Sequence, residues 1–172
     1  MMETSSPPVC VVGIGNEYRR DDGAGLFIAR SLRKRQMPNT AIKEHQREAT
    51  GLIEQWRDFK AVILVDAVSS GAAPGTIYRF VIPPDELPKS IFYASTHTFG
   101  IADCLELART LNQLPPRVVV YGIEGRDFQM GEGISKEVLL SSQKVTDDIQ
   151  EEIDDLLKMP FNTGDSSCTR CP

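Results

Sequence analysis

The chain has few of the residues that cross-link small extracellular proteins or anchor a protein in a membrane. It contains four cysteines, two histidines and one tryptophan in 172 residues, and four thiols are too few for a disulfide framework at this length. No apolar run approaches the roughly 20 residues of a membrane-spanning helix. The first eight residues are polar and contain prolines, unlike a signal peptide. We therefore expect a cytoplasmic protein without membrane insertion.

A concentration of positive charge is also missing. The net charge is -5, with 24 acidic and 19 basic residues, and no Lys/Arg stripe interleaved with aromatics occurs, which argues against a nucleic-acid partner. The basic cluster at residues 30–35 ends a predicted helix, where cations complement the helix dipole. With 41% hydrophobic residues, the chain is long enough for one well-buried core. We expect a flexible N-terminus over residues 1–8, one domain over 9–158 and a disordered tail over 159–172.

Apolar runs typical of strands alternate with patterns of helical period, which predicts an α/β fold. The expected strands cover residues 9–14, 42–48, 61–67, 76–81 and 117–123, and the expected helices cover 22–36, 52–59, 100–111 and 135–157. Ala73-Pro74-Gly75 predicts a type II turn, too short for a crossover helix, so the third and fourth strands are expected to pair antiparallel. The predicted fold is a three-layer αβα sandwich with a mostly parallel twisted sheet of about five strands and one antiparallel edge strand.

Three side chains able to bind metal lie next to predicted strand ends or helix starts. Asp22 follows the first strand after a glycine turn, Asp66 interrupts the apolar run of the third strand, and His97 follows a loop rich in proline. Ligands of open α/β sheets bind where loops leave the carboxyl ends of the strands, so all three can reach one rim. Two carboxylates and an imidazole suit a borderline divalent ion such as nickel or zinc.

Each of these residues also has a structural interpretation. Asp21 and Asp22 open a helix, where carboxylates satisfy free N–H groups, and Asp66 is close enough in sequence to cap the turn at 69–71. A single histidine before a helix is often structural. The glycine loop suggests a nucleotide-binding module, but Tyr18 stands where the dinucleotide pattern needs its third glycine.

Five groups of residues occur in a specific order along the chain. They are Gly15-Asn16, Asp21-Asp22-Gly23 with Gly25, Asp66-Ala67 with Gly71 and Pro74-Gly75-Thr76, Ser95-Thr96-His97, and Tyr121-Gly122-Ile123-Glu124. This combination, over residues 9–157, resembles the hydrogenase maturation proteases. These endopeptidases remove a short C-terminal extension from the large subunit of nickel-iron hydrogenases after nickel insertion.

The resemblance implies a metal site and a partner. Asp22, Asp66 and His97 match the family positions that contact metal, and they are the expected catalytic residues of an aspartic-type endopeptidase. The supporting loop consists of Gly15, Asn16, Asp21 and Gly23. The implied metal is the nickel of the substrate, a nickel-iron hydrogenase large-subunit precursor, and zinc or cadmium is expected to substitute in vitro. Glu17, acidic and in the same loop, matches a variable position of the family pattern.

Several alternatives stay open at the level of sequence. The metal either polarises the scissile carbonyl or activates a water, or it only positions the substrate while Asp21, Asp22 or Asp66 acts as base. A nickel-binding chaperone or adaptor would share the same site without proteolysis. In the tail, Cys168 and Cys171 have metal-ligand spacing, which suggests either mimicry of the substrate or incidental thiols.

Overall fold

The computed structural model describes residues 7–46, 49–92 and 100–160. The strands are β1 Val9–Ile14, β2 Thr40–His45, β3 Ala61–Val68, β4 Ile77–Ile82 and β5 Arg117–Glu124. The helices are α1 Ala24–Lys34, α2 Ala49–Trp56, α3 Lys89–Phe92, α4 Ile101–Thr110 and α5 Lys136–Lys158, and a 3-10 turn, Arg20–Gly23, precedes α1. Predictions for His97, residues 1–6 and the tail from 161, with Cys168 and Cys171, lie outside the described residues.

Helices cover both faces of a five-stranded sheet with the strand order β2-β1-β3-β5-β4. One core lies between the sheet and helices α1 and α5, where Ile63 of β3 packs near Ile149. The other lies between the sheet and helices α2 to α4, where Leu64 packs near Trp56. Every residue of β3 is buried, which explains its continuous apolar run. The predicted three-layer αβα sandwich is confirmed.

The edge strand is antiparallel as predicted, but its predicted partner is wrong. The Thr76 N–H donates to the Ala73 carbonyl at 3.0 Å and Gly75 has a φ of 84°, as a type II turn requires. The strand β4 then pairs with β5 and not with β3, because β5 inserts between them. The apolar run of β5 is buried on both faces in this central position.

Several predicted boundaries also move. The helix expected to start at Asp22 begins at Ala24, because the backbone N–H groups of Arg20 and Asp21 donate to carbonyls of the loop that follows β5. The strand β2 covers Thr40–His45, so it begins before the predicted residue 42, because its first residues pair with the start of β1. The predicted strand residues 47–48 lie outside the described residues. Within the described residues, no helix combines the length and hydropathy of a membrane crossing. The cytoplasmic location stays a prediction.

The helix α1 approaches the ends of β1 and β3 too closely for side chains at the contact. A Cβ atom on Gly13 would lie 2.1 Å from the Gly25 carbonyl oxygen. A Cβ atom on Gly25 would lie 2.3 Å from the Ile14 oxygen and 2.5 Å from the Val65 oxygen. These distances are far shorter than a van der Waals contact, so a larger residue would push α1 away from the sheet. The glycines therefore set the position of the turn that precedes α1.

The variant Gly25→Ala should be less stable than the wild type, although alanine favours a helix over glycine by about 1 kcal/mol. The added methyl group overlaps two strand carbonyls, so we expect the free energy of unfolding to fall by about 2–4 kcal/mol. Gly51→Ala in α2 is the control, because the described atom nearest to its added Cβ atom would belong to the His45 side-chain ring, at 3.2 Å, and not to a strand carbonyl. Urea unfolding measures both, and a stabilised Gly25→Ala variant would contradict the close approach.

Candidate functional site

Four buried carboxylates lie at the carboxyl edge of the sheet. Asp21 and Asp22 belong to the 3-10 turn after β1, Asp66 lies near the end of β3, and Glu124 ends β5. Their exposed fractions are 0%, 2%, 8% and 2%. The 3-10 turn contacts β3, which is the parallel neighbour of β1. The structure therefore brings the predicted residues Asp22 and Asp66 to the same edge.

Asp66 points to the sheet face that is covered by α2, α3 and α4, because side chains alternate along a strand and Leu64 and Val68 pack in that core. The residues that flank 93–99 lie there too. Phe92 packs in the same core, and a Cβ atom on Gly100 would lie 3.0 Å from the Phe92 carbonyl oxygen. Phe92 and Gly100, which flank residues 93–99, therefore both lie on the sheet face that carries Asp66.

The complete ligand set is not contained in the described residues. Among residues 7–46, 49–92 and 100–160, no group of three His, Cys, Asp or Glu side chains is placed to hold a metal ion. Asp22 and Asp66 are the described members of the predicted set, and His97 lies outside this part of the chain. The metal-binding and catalytic roles of the three residues stay predictions.

Asp21 binds the loop after β5, so the predicted capping of the first helix is wrong for this residue. Its carboxylate accepts hydrogen bonds from the backbone N–H groups of Arg126, Asp127 and Ser135 at 2.8, 2.9 and 2.7 Å, and from the Ser135 hydroxyl at 2.8 Å. Burial raises the pKa of the Asp21 carboxyl, but these bonds outweigh burial and hold the pKa below its ordinary range. Ser135 is the N-cap of α5. Asp21 therefore joins the 3-10 turn to the start of α5.

Glu124 caps the turn after β3, the role that one alternative gave to Asp66. Its two carboxylate oxygens accept from the Ser70 N–H at 2.9 and 3.1 Å and from the Gly71 N–H at 2.9 Å. The Ser70 hydroxyl donates to the same carboxylate at 2.7 Å. This role of Glu124 was not predicted from the sequence. An acidic residue that ends an apolar run is nevertheless the pattern that singled out Asp66.

The backbone N–H groups of the glycine loop are used inside the protein. The Gly15 N–H donates to the His45 carbonyl at 3.1 Å, and the Asn16 N–H donates to the Asp22 carbonyl at 3.2 Å. The Tyr18 N–H donates to the Asn16 side chain at 2.9 Å. A phosphate-binding loop aims such groups at its ligand. This loop wraps around the backbone of Asp22 instead, which argues against the nucleotide-binding alternative.

Comparison with known proteins agrees with the fold and with the family that the chain resembles. The HycI family model, described as hydrogenase maturation protease, matches residues 44–152, a range that includes Asp66 and His97. The Methanocaldococcus jannaschii protein MJ0253, whose name is that of a hydrogenase maturation protease, is 32% identical over 155 residues, which cover 84% of this chain and 96% of that protein. The chain belongs to the hydrogenase maturation protease family. It is therefore a peptide-bond hydrolase by class.

Solved structures of maturation proteases share the architecture. The hydrogenase maturating endopeptidase HybD from E. coli aligns with a TM-score of 0.74 at 20% identity, covering 86% of this chain and 93% of that chain. The [NiFe] hydrogenase maturation protease HybD from Thermococcus kodakarensis aligns with a TM-score of 0.62 at 25% identity, covering 84% and 97%. This protease of the maturation family thus has the sheet and helix layers of its structural relatives.

The variant Asp21→Asn should lose stability in a way that depends on pH. The folded-state pKa of this carboxyl lies below its unfolded value, so its contribution is present above about pH 4 and is lost as the pH falls through the folded pKa. Because an amide cannot accept all four hydrogen bonds, we expect a loss of about 2–4 kcal/mol near pH 7.

Urea unfolding near pH 7 and near pH 3 measures this difference. The control is Asp154→Asn, which changes an exposed residue of α5 and should alter stability by less than about 0.5 kcal/mol. A stability difference for Asp21→Asn that stays the same at both pH values would contradict the assignment.

Proposed function

We propose that this protease removes the C-terminal extension of a nickel-iron hydrogenase large-subunit precursor after nickel has been inserted. The observation that carries the proposal is the pair of buried carboxylates, Asp22 and Asp66, at the carboxyl edge of the sheet in a chain of this peptidase family. Both residues match the positions to which the family resemblance assigns metal binding and catalysis. The neighbouring Asp21 and Glu124 hold loops through the backbone N–H groups of those loops.

In this proposal the nickel belongs to the substrate. Asp22 and Asp66, together with His97, supply two carboxylates and one imidazole to it. Three such ligands leave positions open on a borderline divalent ion, so the precursor keeps its own contacts to the nickel while the protease binds. A precursor without nickel lacks this link to the site. The enzyme would then act only on finished precursors, and zinc or cadmium would serve as probes of the same three ligands.

The cleavage chemistry requires one base near the scissile bond. Water adds its oxygen to the carbonyl carbon, the C–N bond breaks, and the released nitrogen takes a proton. A carboxylate oxygen of Asp22 or Asp66 receives the proton from water and later returns it to the leaving amine. Burial of both residues strengthens their electrostatic effect, because the surrounding medium screens charge less than water does. This assignment corresponds to an aspartic-type endopeptidase.

Mass spectrometry of a large-subunit precursor, incubated with the protease in nickel-loaded and nickel-free forms, tests the proposal. We expect loss of a C-terminal peptide only from the nickel-loaded form. Equal cleavage of both forms would contradict nickel recognition. Binding of the loaded precursor without cleavage would contradict proteolysis on this substrate and favour the chaperone or adaptor alternative.

The variants Asp22→Asn and Asp66→Asn should each lower the cleavage rate by about 100-fold or more, because an amide neither takes a proton nor neutralises a metal ion. His97→Ala should weaken nickel-dependent binding of the precursor. Asp154→Asn, on the exposed face of α5, is the matched control and should cleave like the wild type. Urea unfolding checks that the variants are folded. Wild-type rates in Asp22→Asn and Asp66→Asn would refute these site residues without affecting the family assignment.

A further inference from the structure

The loop between β3 and β4 is exposed along its length but held firmly at its base. Residues 69–74 are exposed. At the base, the Gly125 N–H donates to the Val68 carbonyl at 2.9 Å, and the Gly75 N–H donates to the Glu124 carbonyl at 2.8 Å. We call residues 69–74 the β3 loop. It follows the strand that carries Asp66 and leaves the edge of the sheet where open α/β folds bind their ligands.

The conformation of the β3 loop depends on a buried negative charge. Successive backbone N–H groups in a turn form a concavity that binds anions, and here those of Ser70 and Gly71 both donate to the Glu124 carboxylate. Gly71 has a φ of 91°, which a residue with a side chain rarely adopts. The hydroxyl groups of Ser70 and Tyr78 also share a hydrogen bond of 2.8 Å. Hydrogen bonds to a charged acceptor are about twice as strong as neutral ones.

Glu124 is not needed to hold Asp66 itself. Asp66 pairs with Gly122 in the sheet, and the pairing continues to Val68, which lies opposite Glu124. Backbone hydrogen bonds therefore hold β3 to β5 for two residues beyond Asp66. The contacts of the Glu124 side chain begin only after the strand ends, at Ser70. Loss of this carboxylate should therefore release the β3 loop and leave the position of Asp66 unchanged.

We propose that Glu124 is a positioning residue that holds the β3 loop as a docking edge for the precursor peptide that enters the site beside Asp66. This inference rests on the proposed function. The loop contains only small uncharged residues, Ser69-Ser70-Gly71-Ala72-Ala73-Pro74, so the backbone of an extended peptide can approach it closely. Binding residues often lie on loops that a rigid scaffold positions. In this role the loop binds substrate but does not take part in bond cleavage. Loss of its held conformation should therefore raise KM and leave kcat unchanged.

Two glycines in the chain allow a matched test of this role. Among the described residues, a Cβ atom on Gly71 or on Gly133 would meet nothing within 4 Å, and the two residues have φ values of 91° and 93°. Alanine at either position therefore imposes similar backbone strain without a clash with this part of the chain. Gly71→Ala distorts the β3 loop, whereas Gly133→Ala strains the loop before α5. The two variants should lose similar amounts of thermal stability.

Steady-state cleavage of the nickel-loaded precursor separates docking from general destabilisation. For Gly71→Ala and Glu124→Gln we expect KM to rise by about tenfold and kcat to stay within about twofold of the wild type. For Gly133→Ala both constants should match the wild type. Ser70→Ala removes one of the donors to Glu124 and should raise KM by about two- to threefold. The affinity of the free protein for nickel ions, measured by calorimetry, should be the same in all variants.

Equal kinetics for Gly71→Ala and Gly133→Ala would overturn the docking role, and so would a fall in kcat at constant KM. If Glu124→Gln fails to fold, the comparison of Gly71→Ala with Gly133→Ala still tests the docking role, because neither glycine variant removes a buried charge. Failure of the proposed function appears differently, as a wild-type protein that does not cleave the loaded precursor. In that case direct binding of the precursor to wild type, Gly71→Ala and Gly133→Ala replaces kinetics. Weaker binding by Gly71→Ala alone supports the docking edge, and equal or absent binding refutes it.

Discussion

The close packing of α1 against the ends of β1 and β3 is the contact on which the site depends. Gly13 and Gly25 allow the backbones of helix and strands to contact each other there, so the first turn of α1 lies directly against the sheet. The chain must make its turn between β1 and α1 in the little space that remains. Gly15 adopts a φ of 155° in this turn, and a Cβ on it would lie 1.9 Å from the Asp22 carbonyl oxygen. The result is a 3-10 turn against β3 that buries Asp22 at the edge where Asp66 lies.

Two of the acidic residues at this edge hold neighbouring loops. Asp21 and Glu124 accept hydrogen bonds from neighbouring loops, and each ties a loop to a different strand end. The donors compensate the cost of burying their charge, and for Asp21 they lower the pKa despite burial. Asp22 and Asp66 lie at the same edge of the sheet and are the residues to which the family resemblance assigns metal binding. Loops that are tied to the scaffold in this way hold nearby side chains in place better than mobile loops can.

Much of the architecture is predictable from local patterns. The bounds predicted for β1 are those observed, and the turn at Ala73-Pro74-Gly75 forms because proline and glycine favour its backbone angles. The predicted pairing of β4 with β3 was wrong. A short connection limits the distance between two consecutive strands, but it does not prevent another strand from lying between them. The role of Glu124 was missed for a similar reason. Its partners, Ser70 and Gly71, lie more than fifty residues away in the chain.

The sequence by itself determined the layer architecture, the family and the residue types available for the site. These follow from hydrophobic periodicity, turn chemistry and the order of short motifs, all of which are local along the chain. Only the tertiary structure decided that Asp21 and Glu124 hold neighbouring loops. Asp21 and Asp22 are adjacent in sequence and both are buried, yet Asp21 is bound by the loop after β5. That assignment depends on donors brought from distant segments, because hydrogen bonding depends on distance and direction in space and not on separation along the chain.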